Sequence, residues 1–449
     1  MKNCPNSIGK FAVIGLISIL AITGCTEEAA EPAMKTPTEK VKTTLKVAYF
    51  NQQQFMRDYG DTLKKLLPDI EFQVIPSIQV TNSFAMPIDS AKIMEQKPDL
   101  LSGGPLIMEL SNSGKAMELS SLIKQEAFDM NVFTELAVEQ MRQMGNGKLT
   151  NLSPTFMSTA TFYNKEKFDR LGVAYPTNNM SWASMMELAK KFVRNENGKQ
   201  HYGIYTITTP LTMVSLYADG VGAPFVSEDR RTVNYTSGAP RAAANTAIDA
   251  YRSGILYLPP EKNEGSVTKT EAMLRNKFIS GEAALAFYNP SLLGTMTEAA
   301  GLGIPSFKWD IVTEPVNPAK TGQSSFGIFI SDPFAIAADS PNKAAAWEVI
   351  KTITGTAMAA ELAKTKPHLL STRKDTMLAF EGRKLDAFYA HTTVMGGEGW
   401  PQQLAQQVNL IYREEMNDIL YDRKTVDVGL SAVQTRVQQA IDGEFAAKK

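Results

Sequence analysis

Leu45-Lys46-Val47-Ala48-Tyr49-Phe50, a stretch carrying Phe55, Tyr59, Leu63, Leu66 and Leu67 up to Pro68, and then Glu71-Phe72-Gln73-Val74-Ile75 together decide the fold. The apolar side chains of the middle stretch recur at spacings of three and four, which marks one face of an α-helix. Pro68 ends that helix, because proline has no amide hydrogen and crowds the turn before it. A second helix near residues 88–96 and a strand at Asp99-Leu100-Leu101 continue the alternation. Strands separated by helices pair in parallel, so the class is α/β. Ligands of such sheets sit beyond the carboxyl ends of the strands. That places Asn51, Gln52 and Gln53 after the first strand, and Ser102 and Gly103 after the third, among the candidate binding residues.

The pattern extends along the chain. Asn146-Gly147 reads as a tight hairpin turn, and Thr161-Phe162-Tyr163-Asn164 as a strand before a helix that Gly172 ends. Ser181 caps an amphipathic helix with Trp182, Met185, Leu188, Ala189 and Phe192 on its apolar side. Tyr163 and Trp182 are therefore expected in the core. Residues 203–207 read as strand, and Pro210 opens a helix capped by Thr209. Helices are expected near 239–252 and 269–279, and Gly281 separates the second from a buried strand over 283–288. Glu314-Pro315-Val316-Asn317-Pro318 reads as a crossover between lobes. Apolar strands at 326–330 and 334–338 follow, then a helix opened by Ser340-Pro341 and running through Trp347 to about residue 354. Long helices near 401–421 and 426–441 close the chain, and no internal repeat is visible.

The N-terminus carries Lys2, Lys10 and an apolar run over residues 11–22, ending in Ile22-Thr23-Gly24-Cys25. A membrane-spanning helix needs about 20 apolar residues, so this run is too short to span and reads as an export signal over residues 1–24. The small-small-Cys junction resembles the lipobox of bacterial lipoproteins. That resemblance implies that Cys25 is lipidated and becomes the first mature residue, tied to a membrane outside the cytoplasm. Residues 26–44, with Glu27, Glu28, Glu31, Glu39, Pro32 and Pro37, read as a flexible tether reaching at most about 60 Å.

With 43% hydrophobic and 21% charged residues among 449, the chain is an ordinary globular composition with room for more than one core. Its formal net charge of −1 leaves no electrostatic footprint for nucleic acid. Cys4 leaves with the signal, so Cys25 is the cysteine that remains. No disulfide within the chain and no thiol chemistry are expected. His201, His368 and His391 are far apart in sequence and none has HExxH spacing, so no metal and no cofactor are expected.

Several segments in order resemble the extracellular solute-binding proteins of ABC importers, the family that includes maltose-binding protein. They are Asn146-Gly147-Lys148 to Pro154, followed by Thr161-Phe162-Tyr163-Asn164-Lys165 and the Ser181-Trp182 helix start. Further along come Phe278-Ile279-Ser280-Gly281-Glu282-Ala283-Ala284, then Ser340-Pro341-Asn342-Lys343 with Ala344-Ala345-Ala346-Trp347-Glu348, and more loosely Thr425-Val426-Asp427 to Val437. The resemblance spans roughly residues 45–441. It implies a two-lobed, type II periplasmic-binding-protein-like fold with a ligand cleft between the lobes and a hinge. It places 45–154 and 317–366 in the N-terminal lobe, and 155–316 and 367–449 in the C-terminal lobe with its terminal helices. It further implies a monomer that captures a small polar solute, a carbohydrate first, by hinge closure and delivers it to ABC permease subunits. The ATPase would be a separate subunit, in keeping with the missing P-loop here. The chain departs from the sugar-binding members after Tyr288-Asn289-Pro290, where Ser291-Leu292-Leu293 replaces a tryptophan-rich stretch. The helix at Pro210 likewise presents Leu211, Thr212 and Met213 rather than aromatic rings.

The expected ligand contacts are Asn51, Gln52, Gln53, Ser102, Gly103, Phe156, Tyr288, Asn289, Gln323, Ser324 and Trp400, with Trp309 and Phe50 as further aromatic platforms. Neutral amides and hydroxyls donate and accept hydrogen bonds, which suits polyols. Trp400 follows the glycine-rich run Gly396-Gly397-Glu398-Gly399 and either meets ligand or packs its loop. Two other readings stand beside this one. Ser121-Leu122-Ile123-Lys124 and Lys320-Thr321-Gly322 match the SxxK and KTG elements of a lipid-anchored hydrolase, but no Ser-x-Asn or Tyr-x-Asn lies between them. The other is a sensor of the same fold with a non-sugar ligand.

Overall fold

Period-two alternation puts Leu45, Val47 and Tyr49 of strand β1 (Thr43–Tyr49) into one core and Ala48 into another, on the opposite face of the sheet. The computed structural model describes residues 42–81, 84–261, 265, 267–320, 322–377, 379–380, 382–391 and 400–446. The expected signal, Cys25, the tether up to residue 41 and the glycine-rich run 396–399 lie outside the described residues. β1 begins at Thr43, two residues before the expected start, because Thr43 and Thr44 pair with Ile70 and Glu71.

In chain order, β2 (Ile70–Pro76), β3 (Leu100–Ser102) and β4 (Asn151–Leu152) follow β1, then β5 (Thr155–Met157) and β6 (Ala160–Asn164). Further strands of the three main sheets are β7 (Arg194–Glu196), β8 (Lys199–Thr206), β9 (Ala283–Tyr288), β10 (Trp309–Thr313), β11 (Phe329–Ile330), β12 (Phe334–Ile336) and β13 (Leu370–Ser371). The first lobe is built on a sheet of order β2-β1-β3-β12-β4 and the second on β10-β6-β9-β8-β7. β1 runs parallel to β2 and β3, and β8 parallel to β9, whereas β12 and β6 are antiparallel to their neighbours. Parallel strands are covered by helices on both faces, which explains why Leu100, Leu101 and the strand Ala283–Tyr288 are almost wholly apolar.

A third, antiparallel sheet, β11-β5-β13, joins the lobes. Phe156 pairs with Ile330 on one side and Leu370 on the other. Each of the three passages of the chain between the lobes gives one short strand to this sheet. Such a joint absorbs a rotation in a few backbone angles while each lobe stays rigid.

Several local expectations change. The helix expected to carry Phe55 to Leu67 is divided into Gln52–Phe55, a π turn Met56–Gly60, and Asp61–Leu66. Asn146-Gly147 turns no hairpin. Both residues have positive φ, 54° and 84°, and Gly147 N–H donates to Arg142 O, so the pair stops the helix Glu135–Met144. The helix expected over 269–279 ends at Leu274, since the Asn276 side chain accepts from the amides of Phe278 and Ile279 at 3.0 and 3.1 Å and holds them out of helical register. Helix Lys343–Ile353 starts after Ser340, whose hydroxyl donates to Asp99.

Helices Gln402–Leu420 and Val426–Ala446 pack on the second lobe together with Pro210–Gly220 and Gly238–Arg252. Residues of the crossover after β10 stay on this lobe: Val316 bridges Ser181, Phe326 joins its core, and Trp182 Nε1 donates to Ser325 Oγ at 3.2 Å. Trp182 is wholly buried, and a Cβ on Gly220 would collide with its indole ring. Gly220→Ala is therefore expected to cost about 2–3 kcal/mol, the range of overpacked cores, read as a lower midpoint of denaturant unfolding. An unchanged midpoint would show that the Trp182 packing is loose.

Candidate functional site

The carboxyl ends of β1 and β3 face the joint from the first lobe, and those of β8 and β9 from the second. In the first lobe much of the polar sequence is spent on the backbone. Asn51 is extended, and its Oδ1 accepts from Gln54 N at 2.8 Å, capping the first helix. Gln52 Oε1 accepts from Val74 N of β2 at 3.3 Å. Gln53 lies exposed on the first helical turn. Ser102 is buried opposite Phe334, and Gly103 takes φ 108° and ψ 122°, which only glycine adopts freely.

In the second lobe, Tyr288 at the end of β9 stands nearly parallel to Tyr205, with ring centroids 6.3 Å apart and 17° between planes. Tyr257 packs against Tyr205 at 6.0 Å and Tyr202 at 4.9 Å, and Lys277 lies over its ring. Burial, then the neighbouring Tyr288 and Tyr257, push the Tyr205 phenol up to about 12. Burial also raises Tyr288. Both remain neutral hydroxyls at ordinary pH, and among the described residues neither has a hydrogen-bond partner. Asn289 Oδ1 accepts from Ser291 N and Oγ at 3.0 and 2.6 Å, so it starts the helix Ser291–Gly301. The sequence reading selected Tyr288 alone. Tyr202-x-x-Tyr205 at a strand end was the visible signal for its companions, whereas Tyr257 comes from a loop that only the fold brings near.

Three expected contacts and the expected platform Trp309 are engaged as follows. Phe156 is wholly buried in the joint, edge-on to Tyr389 at 5.5 Å, because its strand lies between two others. Ser324 is 1% exposed and donates to Glu314 Oε1 at 2.6 Å. Trp400 is half-buried against the second-lobe core, with Nε1 donating to Arg230 O at 2.9 Å. Trp309 is buried beneath the Arg383 guanidinium, 4.5 Å from its ring. Phe50 packs partly buried on the first-lobe core, and Gln323 is half-buried in the crossover and already engaged. Of the hydrolase elements, Ser121 and Lys124 lie exposed on the short helix Ser120–Gln125, and Thr321 lies outside the described residues.

The sequence reading missed two charged groupings at the joint. Lys366 Nζ lies 3.1 Å from Asp58 Oδ2 and 2.9 Å from Asp332 Oδ2, bridging the π turn to both later passages. Tyr59 donates to Asp332 at 2.6 Å and Tyr49 to Asp58 at 3.1 Å. Further on, Glu314 is wholly buried. Its Oε1 accepts from Ser324 Oγ, Ser325 N and Phe326 N, while His391 Nε2 lies 3.7 Å away.

Two α/β lobes and a three-stranded joint between them define a hinged receptor for small solutes. The chain belongs to the bacterial extracellular solute-binding protein family, whose sequence profile matches residues 51–360. No curated protein sequence matches it significantly. Solved structures show the same fold. A sugar transporter of Rhizobium etli in an open conformation has a TM-score of 0.61 at 20% identity, covering 88% of this chain and 99% of that one. An ABC substrate-binding protein of Listeria monocytogenes in complex with cycloalternan has 0.61 at 18%, covering 89% and 99%. The sugar-binding protein MalE of Xanthomonas citri has 0.64 at 14%, covering 90% and 99%. Among the described residues no group of three or more His, Cys, Asp or Glu could hold a metal ion, and no helix is long and apolar enough to cross a membrane.

Proposed function

We propose that this protein captures a carbohydrate between its lobes by hinge closure and hands it to the permease subunits of an ABC importer, with no catalysis of its own. The observation that carries this is the Tyr205–Tyr288–Tyr257 platform at the carboxyl ends of β8 and β9. Aromatic faces take up the C–H faces of sugar rings, and neutral phenols match sugar hydroxyls without a fixed charge. Structural neighbours described as sugar-binding and as holding cycloalternan support the ligand class. Exposed Gln53, just after β1 in the other lobe, is available as a polar partner. Lipid on Cys25 would hold the monomeric receptor at the outer face of the membrane, on the tether before residue 43. We infer that the chain returns to the first lobe at 329–333 rather than at the expected 317, a reading supported by the packing of Phe326 against the core around Trp182.

The test is thermal unfolding of the chain from Thr26 onward with mono- and oligosaccharides, polyols, amino acids and short peptides. A ligand at a hundred times its Kd adds about 2.7 kcal/mol. A saccharide should raise Tm and compact the protein in small-angle scattering. Tyr288→Ala should weaken it roughly tenfold, the loss of one stacked ring. Stabilisation by amino acids or peptides and by no saccharide would overturn the carbohydrate assignment.

A further inference from the structure

The edge of the second-lobe sheet formed by β7 and the start of β8 holds more positive charge than its carboxylates pair. Lys167, in the helix Lys165–Leu171, is 7% exposed. Its Nζ lies 3.0 Å from Nδ1 of His201, an imidazole rather than a carboxylate. Arg194 stands directly opposite His201 in the β7–β8 pairing. Its Nε and Nη2 are buried without a hydrogen-bond partner, although Nε is within 3.4 Å of Glu196 Oε2 and so feels its charge. Glu196 is held on both oxygens by Arg170, at 3.4 and 3.2 Å. Glu282, the other carboxylate acting on Lys167, is taken by Lys199 at 3.1 Å and Lys277 at 2.6 Å. Lys167, Arg170, Arg194, Lys199 and Lys277 thus share two carboxylates.

Burial, then the charges of Arg170 and Arg194, pull the Lys167 ammonium down to about 8. Burial and Lys167 likewise lower His201. A buried cation whose nearest carboxylates are held by other cations is expensive, and buried guanidinium donors left unpaired add to that cost. An anion seated between helix and hairpin removes both penalties. A point-charge ammonium beside a planar guanidinium fork suits the several oxygens of one small oxyanion.

We propose that Lys167 and Arg194, beside His201, form a binding site for a small tetrahedral oxyanion, phosphate or sulfate, which clamps the helix Lys165–Leu171 to the β7–β8 edge. The ion is free rather than a lipid headgroup, because Lys167 is recessed and the His201 side chain is 14% exposed. A bilayer surface would instead meet Arg170, whose side chain is 50% exposed.

The experiment is thermal unfolding of the full chain in detergent, titrated with sodium phosphate or sulfate against sodium chloride at matched ionic strength. The expected result is a saturable rise in Tm with either oxyanion and none with chloride. Arg194→Met should weaken the response at least tenfold, and Lys167→Met likewise. Should Lys167→Met fail to fold, Lys167→Arg must fold and retain the response. The same rise in Arg194→Met as in the parent, or no rise above that of chloride, overturns the site. Sedimentation with phosphatidylglycerol vesicles is the second arm. Binding that depends on Lys167 and Arg194, without any response to free ions, overturns the free-ion assignment.

Discussion

Glu314→Gln should match the parent protein near pH 5 and exceed its stability by about 3–4 kcal/mol at pH 8. Glu314 is wholly buried, and desolvation pushes its carboxyl up to about 8, against the opposing hydrogen bonds from Ser324, Phe326 and Ser325. A carboxyl whose folded pKa exceeds its unfolded value, about 4.3, adds stability that is complete below the unfolded value and lost as pH rises through the folded one. The loss runs at about 1.4 kcal/mol per pH unit over that window. Glutamine keeps an acceptor for the same donors and has no charge to form. Glu314→Ala at pH 5 should instead lose about 4 kcal/mol, because two buried amides and one hydroxyl are left without an acceptor at roughly 1–3 kcal/mol each. His391 acts in the opposite sense. Burial lowers its pKa, so its contribution is present above its ordinary value and lost as pH falls. Calorimetry of both variants from pH 5 to 8 at fixed ionic strength checks this, and a pH-independent difference between Glu314→Gln and the parent would refute it.

Lys366→Met should cost about 3 kcal/mol, near the lower end of the range for removing one partner of a buried ion pair. Lys366 is the cation between Asp58 and Asp332, whose side chains are 5% and 19% exposed. Without it the two carboxylates face each other, although Arg57 at 3.2 Å still attends Asp58. Adding Asp332→Asn should restore at least 1 kcal/mol, because neighbours in one network couple. Burial pushes the Asp58 carboxyl up. The Lys366 charge and the hydrogen bonds from Lys366, Arg57 and Tyr49 outweigh it and hold the group below its usual value. Its stabilisation is therefore present above about pH 4 and lost as pH falls, and Lys366→Met should flatten that acid limb. Asp332 lies between β11 and β12, and Lys366 shortly before β13. Amide exchange should accordingly rise at 329–333 and 370–372 in the variant. Exchange confined to the π turn would show that Lys366 braces that helix and not the joint.

The α/β class, the stop at Gly172, the cap at Ser181 and the buried strand 283–288 were all legible, because each depends on side chains within a few residues of one another. Asn51 shows where that legibility ends. An amide after a strand suits a ligand and a helix cap equally well, and its contact with Gln54 decides for the cap. Ser324 reads as a loop hydroxyl until Glu314 folds over it. Lys366 has no local signature at all, since its partners lie 34 and more than 300 residues away in sequence. By itself the sequence determined the order of most helices and strands, the layer type and the family, since periodicity and chain stereochemistry act between near neighbours. Only the tertiary structure decided which polar groups are already satisfied and which rings gather at the strand ends of the second lobe, because both depend on partners from distant parts of the chain.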